Sequence, residues 1–467
     1  MRASMVWTLR VHFPLVLLTS LACARPEPRT AAEGQIGLPA ASETRTGADA
    51  FGDWRGDAPG VRYHIRPTDL PTPVMTGTDP EASVADPAEV VAPPPGATLK
   101  VPDGFEVSVF ASGFKQPRRL RIAPNGDIFL SESGTGRVLV FQASGAGGAS
   151  ATPHVFAEGL DRPYGIAFLP PADPQYVYVA AANQVVRYPY RSGELKAGGP
   201  AEVIVPDIPT ERHWTRDLTV SRDGQRLFLA VGSASNLGVN GMPEMTPAQI
   251  RQFEETHGRG AAWGEEENRA TVRVFDPEGS TIRNYANGLR NCSGLTMQPG
   301  TDNLWCVVNE RDHLGPNMVP DFMVHVQDGA FYGWPWYTVG DREDPALMGE
   351  RPDLKGEVRV PEVLIQPHSS ALSVVFYDHD AFPAEYRGDA FVALHGSHSR
   401  PQMTGYKVVR VRMEAGRPTG EYEDFMTGFV LDNETVWGRP ASVAVTRDGA
   451  LLVSDDANGT IFRVTHR

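Results

Sequence analysis

The sequence predicts an all-β fold: a six-bladed β-propeller preceded by an extended N-terminal segment. Two observations carry this. One two-strand pattern recurs six times beyond Lys100, and the copies are spaced by roughly 45 to 80 residues, which suits a four-stranded blade. Each copy has an apolar strand, a turn carrying Asp, Asn, Gly or Pro, and a β-branched or aromatic strand ending in small polar residues. The copies begin at Pro117 (PRRLRIAPNGDIFLSES), Pro163 (PYGIAFLPPADPQYVYVAAAN), Thr215 (TRDLTVSRDGQRLFLAVGS), Cys292 (CSGLTMQPGTDNLWCVVNE), Ser370 (SALSVVFYDHDAFPAEYRGDAFVALHGS) and Pro440 (PASVAVTRDGALLVSDD). A third strand follows several of them, as in GRVLVFQ, NQVVRYPY and GYKVVRVRM. Two unrelated β-sandwiches fit the alternation but leave the six copies unexplained.

The elements follow in chain order. Residues 1–24 read as a signal peptide. Arg2 and Arg10 precede a short apolar run that closes on Ala22-Cys23-Ala24, a pattern suited to cleavage. Export to a bacterial periplasm is the expectation, with lipidation at Cys23 as the alternative fate. No later stretch is long and apolar enough to predict a transmembrane segment. Residues 25–98, rich in Ala, Pro, Thr and Asp, are expected to lie extended against the domain, with DWRGDAPGVRYHI (from Asp53) the part able to dock. Residues 99–467 form the propeller. The stretch TPAQIRQFEETHGRGAAWGEEEN, from Thr246, has helical spacing and reads as an insertion between the third and fourth units.

Charge excludes some partners. The formal net charge is −14 and no Lys/Arg cluster occurs, which argues against nucleic acid or an anionic membrane surface. A cationic site must be local. In a propeller the first strand of each unit is innermost, so residues just before it ring the channel mouth. There the units carry Arg118, Tyr164, His213 with Arg216, Arg290 with Asn291, and Arg439. Converging guanidinium groups match a planar, polyanionic guest with carboxylates and quinone oxygens.

Cys292 and Cys306 flank one predicted hairpin. A turn near Gly300-Thr301 sets Cys306 opposite roughly Leu295, a register that favours two buried thiols over a bridge. YGWP, from Tyr332, reads as packing. His395 reads as hydrogen bonding at the channel rim and His398 as solvated, since residues three apart at a strand end do not face one metal.

From Lys100 onward the chain resembles the glucose/sorbosone dehydrogenases, six-bladed propellers that use pyrroloquinoline quinone (PQQ). The motifs are HWTRDLTVSRDGQRLFLAVGSASN, NGLRNCSGLTMQPGTDNLWCVVNERD, VPDFMVHVQDGAFYGWPW, FPAEYRGDAFVALHGSHSRPQMTGYKVVRV and WGRPASVAVTRDG, in the family's order. DWRGDAPGVRYHI is similar to the N-terminal stretch of the sorbosone-dehydrogenase branch. The resemblance implies that His213 is the catalytic base, that Arg290 and Asn291 contact the quinone oxygens, and that Arg439 binds a cofactor carboxylate. It implies a Ca²⁺ held by the loop NERDHLG, with Asp312 and His313 as the nearest equivalents. It also implies an aldose or sorbosone-like aldehyde as substrate and an electron acceptor such as a cytochrome or quinone. The chain departs from the pattern in the calcium loop, where the family's Gly-Pro appears three residues late, as Gly315-Pro316. It departs again at Ala441, at Leu160-Asp161, where a glutamine is lost, and at the cofactor lysine, for which Lys407 or Arg400 substitutes. The alternative function is a lactonase-type hydrolase in which a channel-bound Ca²⁺ activates water.

Overall fold

In the computed structural model, which describes residues 44–76, 88–144, 148–396 and 400–467, six antiparallel sheets stand around one axis. Their innermost strands are Pro117–Ile122, Gly165–Leu169, Leu218–Val220, Cys292–Met297, Ala371–Phe376 and Pro440–Val445, the first strands of the six repeats. Blades 1 to 6 are numbered in that order. Blades 1 to 4 follow up-and-down order, inner strand to outer.

Alternation along these strands builds the interfaces between blades. Six apolar clusters each join two neighbouring sheets, so the core is itself a ring. Leu218 and Leu229 of blade 3 pack with Ala167 and Tyr178 of blade 2, and Leu120 and Leu130 of blade 1 pack with Ala444 and Leu452 of blade 6. The ring is closed by its first strand joining its last: Phe105–Ser112 is the outer strand of blade 6, paired antiparallel to Thr460–His466.

The N-terminal segment docks on two blades. Arg62–His64 adds a fifth strand to blade 5, with Arg62 opposite Glu423 and Tyr63 opposite Tyr422, and Thr44–Thr46 adds a sixth. Tyr63 stacks on Tyr422 at 4.9 Å. Glu89–Val90 pairs in parallel with Thr435–Val436. The insertion in blade 3 holds helix α1, Pro247–His257, started by a capping box between Thr246 and Gln249. No described helix is long and apolar enough to cross a membrane. The leader, Cys23 and His398 lie outside the described residues.

The cysteines correct the sequence expectation of two free thiols. The register is the expected one, Leu295 opposite Cys306, yet Cys292 and Cys306 form a disulfide with Cα atoms 5.9 Å apart. The pairing shifts between Cys292 and Gly294, and this bulge brings Cys292 diagonally within reach of Cys306.

Candidate active site

Contacts run around the channel mouth as a closed belt. His213 Nδ1 lies 2.9 Å from the Ser233 carbonyl. Ser233 N–H donates to Arg290 O at 2.8 Å. Arg290 Nη1 donates to Asn309 O at 3.2 Å, and Asn309 Nδ2 to Ser370 Oγ at 2.6 Å. His395 N–H donates to Ser370 O at 2.9 Å, and its Nε2 meets Asp456 Oδ1 at 2.7 Å. Asp456 pairs with Arg118 Nε at 2.6 Å, and the Arg118 guanidinium lies over Trp214, next to His213, at 5.4 Å. All six blades or their entry loops touch this belt or the floor beneath it.

A polar plug makes that floor. Arg119, fully buried, reaches from blade 1 across to Asp217 at 2.6 Å, to Ser293 O at 2.8 Å and to Ser373 Oγ at 2.6 Å. Arg121 also pairs with Asp217, at 3.1 Å, and Tyr164 O–H donates to Ser293 O at 3.1 Å. The site is therefore a cup, polar at its base and rim.

His213 is set up as a base. A carbonyl can only accept, so Nδ1 carries the proton and Nε2 keeps its lone pair. Burial, with Arg290 nearby, holds the imidazole pKa well below its usual value, so the ring is neutral at neutral pH. Arg269 fixes the same loop, donating to the carbonyls of Gly232 (2.7 Å), His213 (3.1 Å) and Ser233 (2.9 Å). Arg216 donates to His213 O at 2.7 Å and Thr215 O at 2.8 Å, the loop-holding role its position implies. Gly232 is required by closeness: a Cβ there would stand 2.5 Å from Asn291 Oδ1 and 2.7 Å from His213 Cβ. The amide of Asn291 thus lies beside the base.

Across the cup, burial and Arg439 depress the His395 pKa to about 4, against the opposing pull of Asp456. Arg439 is half-buried, donates through Nε to His395 O at 3.3 Å, and its guanidinium lies 5.7 Å from the Tyr406 ring. Its Nη groups have no acceptor among the described residues. A half-buried guanidinium with spare donors, an unbonded imidazole nitrogen and an amide around one cup fit a planar polycarboxylate with carbonyl edges.

Four expected ligands have other employment. Lys407 is fully buried between Asp57 (2.8 Å) and Asp424 (2.7 Å), where it locks the N-terminal segment to blade 5. Arg400 donates to the carbonyls of Phe51 (2.9 Å) and Gly52 (3.3 Å) and to Asn317 Oδ1 (3.2 Å). Both corrections have one cause: the partners lie in a segment about 350 residues away in sequence. Asp312 and His313 do not offer a calcium cage. The Asp312 carbonyl already accepts from Arg311 Nε (3.0 Å) and Asn236 Nδ2 (3.3 Å), and the His313 carbonyl from Thr76 N–H (3.0 Å). The Asp312 carboxylate lies 3.2 Å from His368. Among the described residues no three His, Cys, Asp or Glu side chains gather to hold a metal, so the hydrolase alternative lacks its carboxylate cage as well.

Sequence reasoning missed Ser233, Asn236, Arg269, Asn309, Ser370 and Asp456. Most of these lie in the small polar runs that end second strands, a recurrent signal whose meaning is the belt.

Fold and site together define a six-bladed propeller with a cation-rimmed, histidine-bearing cup. A TrAA12-like family model matches residues 99–328 and 353–467, and the chain belongs to that family. It is 24% identical over 435 residues to a pyrroloquinoline quinone-dependent pyranose dehydrogenase of Coprinopsis cinerea; the match covers 79% of this chain and 55% of that protein, so the chain spans about half the length of that relative. The fold is similar to the holo PQQ domain of pyranose dehydrogenase from Coprinopsis cinerea (TM-score 0.63, 22% identity, 80% of this chain and 98% of that one). It is likewise similar to a calcium structure of a Trichoderma reesei family AA12 enzyme (TM-score 0.62, 21% identity, 81% and 98%).

Proposed function

We propose that this chain is a PQQ-dependent oxidoreductase that oxidises a sugar or sugar-derived aldehyde, an aldose or sorbosone-like compound, and passes the electrons to an acceptor such as a cytochrome or quinone. The carrying observation is the neutral His213, its Nδ1–H spent on Ser233 O so that Nε2 keeps its lone pair and its loop braced by Arg269, on a rim that also carries spare guanidinium donors on Arg439. The PQQ-dependent relative and the shared fold support the reading.

When bound, the quinone supplies a two-electron acceptor for the hydride on the substrate carbon. His213 Nε2 takes the proton of the substrate hydroxyl, and Ser233 keeps the ring in the tautomer that can do so. Arg439 and Arg118 would hold carboxylates of the cofactor, while Asn291 would offer its amide and Arg290, its own donors spent on Asn236, Asn309 and Glu310, positive charge to the carbonyl edge. The Arg119–Asp217 plug closes the cup beneath and limits water from below. No step is assigned to a metal. Residues 1–24 support export of the mature chain.

The test is reconstitution. Purified protein stripped of cofactor should bind PQQ saturably and then reduce an artificial dye with pyranoses or sugar aldehydes. Equal turnover in protein shown by mass spectrometry to be free of quinone overturns the reading.

A further inference from the structure

The loop 309–315 is where an oxygen-bound cation would sit beside the cofactor, yet protein donors already occupy it. Asn309 O and Glu310 O accept from Arg290 Nη1 at 3.2 and 2.8 Å. Both lone pairs of Asp312 O are engaged, by Arg311 and Asn236. His313 O accepts from Thr76, and Gly315 O lies 3.0 Å from His368 Nε2, whose other nitrogen faces the Asp312 carboxylate.

Some of the braces come from parts of the chain outside the family match. Arg311, 1% exposed, pairs with Asp344 at 2.5 Å, and Asp344 lies in the stretch 329–352 that the family model leaves out. In that stretch Arg342 also grips the N-terminal segment, donating to Pro67 O at 2.7 Å, Leu70 O at 3.3 Å and Pro71 O at 3.1 Å. Held there, the segment delivers Met75, whose Sδ is 3.7 Å from Arg311 Nη2, and the Thr76 N–H that bonds His313 O. Two elements outside the family match thus converge on this loop.

We infer that protein donors set the loop 309–315 in place of a divalent cation, so that this chain binds its quinone cofactor without metal. The inference rests on the PQQ reading above. A divalent ion at about 2.4 Å from the Asp312 carbonyl would have to displace two N–H donors and sit against the Arg311 guanidinium. Arg290 brings positive charge to the loop, and Arg311, paired with Asp344, fixes the Asp312 carbonyl. Arg311 is a positioning residue and Thr76 a brace.

The experiment is a titration of cofactor-stripped protein with PQQ, read by quenching of tryptophan emission, once in excess chelator and once in excess calcium. The expected dissociation constants agree within about threefold. Saturable binding in calcium alone overturns the inference and leaves the PQQ reading standing. Binding in neither condition overturns both. Arg311→Gln should weaken binding in chelator by tenfold or more, with part of the loss restored by calcium. Thr76→Pro, which removes one N–H from an N-terminal segment held elsewhere by Arg342, Arg400 and Lys407, should weaken it in the same direction. Parental affinity in both variants in chelator overturns the brace.

Discussion

At His213 one hydrogen bond decides the chemistry. With Nδ1–H spent on Ser233 O, a change to Gln keeps the polar shape but removes the base. We expect His213→Gln to lower kcat by about 10²-fold or more while PQQ affinity stays within a few fold; stopped-flow turnover and a binding titration separate the two. The pH sign follows from the depressed pKa. The base form persists as pH falls through 6.5, so the acidic limb of kcat/KM should lie below pH 6.5, measured with cofactor saturating. Arg439 and Lys407 make a second contrast. Arg439→Ala should weaken PQQ binding by about 1.5 to 3 kcal/mol with the fold intact, the scale of charge-assisted hydrogen bonds. Lys407→Met, deep between Asp57 and Asp424, should lower thermal stability with little effect on affinity.

At the scale of elements, legibility followed sequence distance. Positions at or just before an inner strand were readable because six repeats present the same slot: Arg118 is the second residue of its strand, and His213, Arg290, Asn291 and Arg439 precede theirs. Along blade 1 the neighbour mattered: alternation sends Arg118 to the rim and Arg119 to the floor, and only the structure shows Arg119 meeting Asp217 of another blade. The bulge at Cys292 has no local sequence signature, so register alone argued for free thiols. Lys407 and Arg400 looked like channel residues because nothing in the sequence ties residues 51–57 to them. Breaking the floor should be costly. Asp217→Asn leaves Arg119 and Arg121 without their shared counter-charge and should destabilise by about 3 to 5 kcal/mol, read by denaturant unfolding. Replacing both cysteines by Ala should cost about 3 kcal/mol on the same measurement, the value for a loop near the 14-residue separation here.

For the whole molecule the decisive feature is the last sheet, built from the first strand of the propeller and its last three. Removing Thr460–His466 strips the middle of blade 6 and orphans Phe105–Ser112, so the truncated chain should fail to give a cooperative melting transition. The rim depends on the same join. Arg118 comes just after the first strand of that sheet and Asp456 just before its last, and their ion pair at 2.6 Å spans blades 1 and 6. Five sheets can stack without that pairing, yet the cup then stays open on the side of blades 6 and 1. The cup is therefore completed by a pairing between strands far apart in the sequence, and any binding that needs a closed rim waits on that pairing.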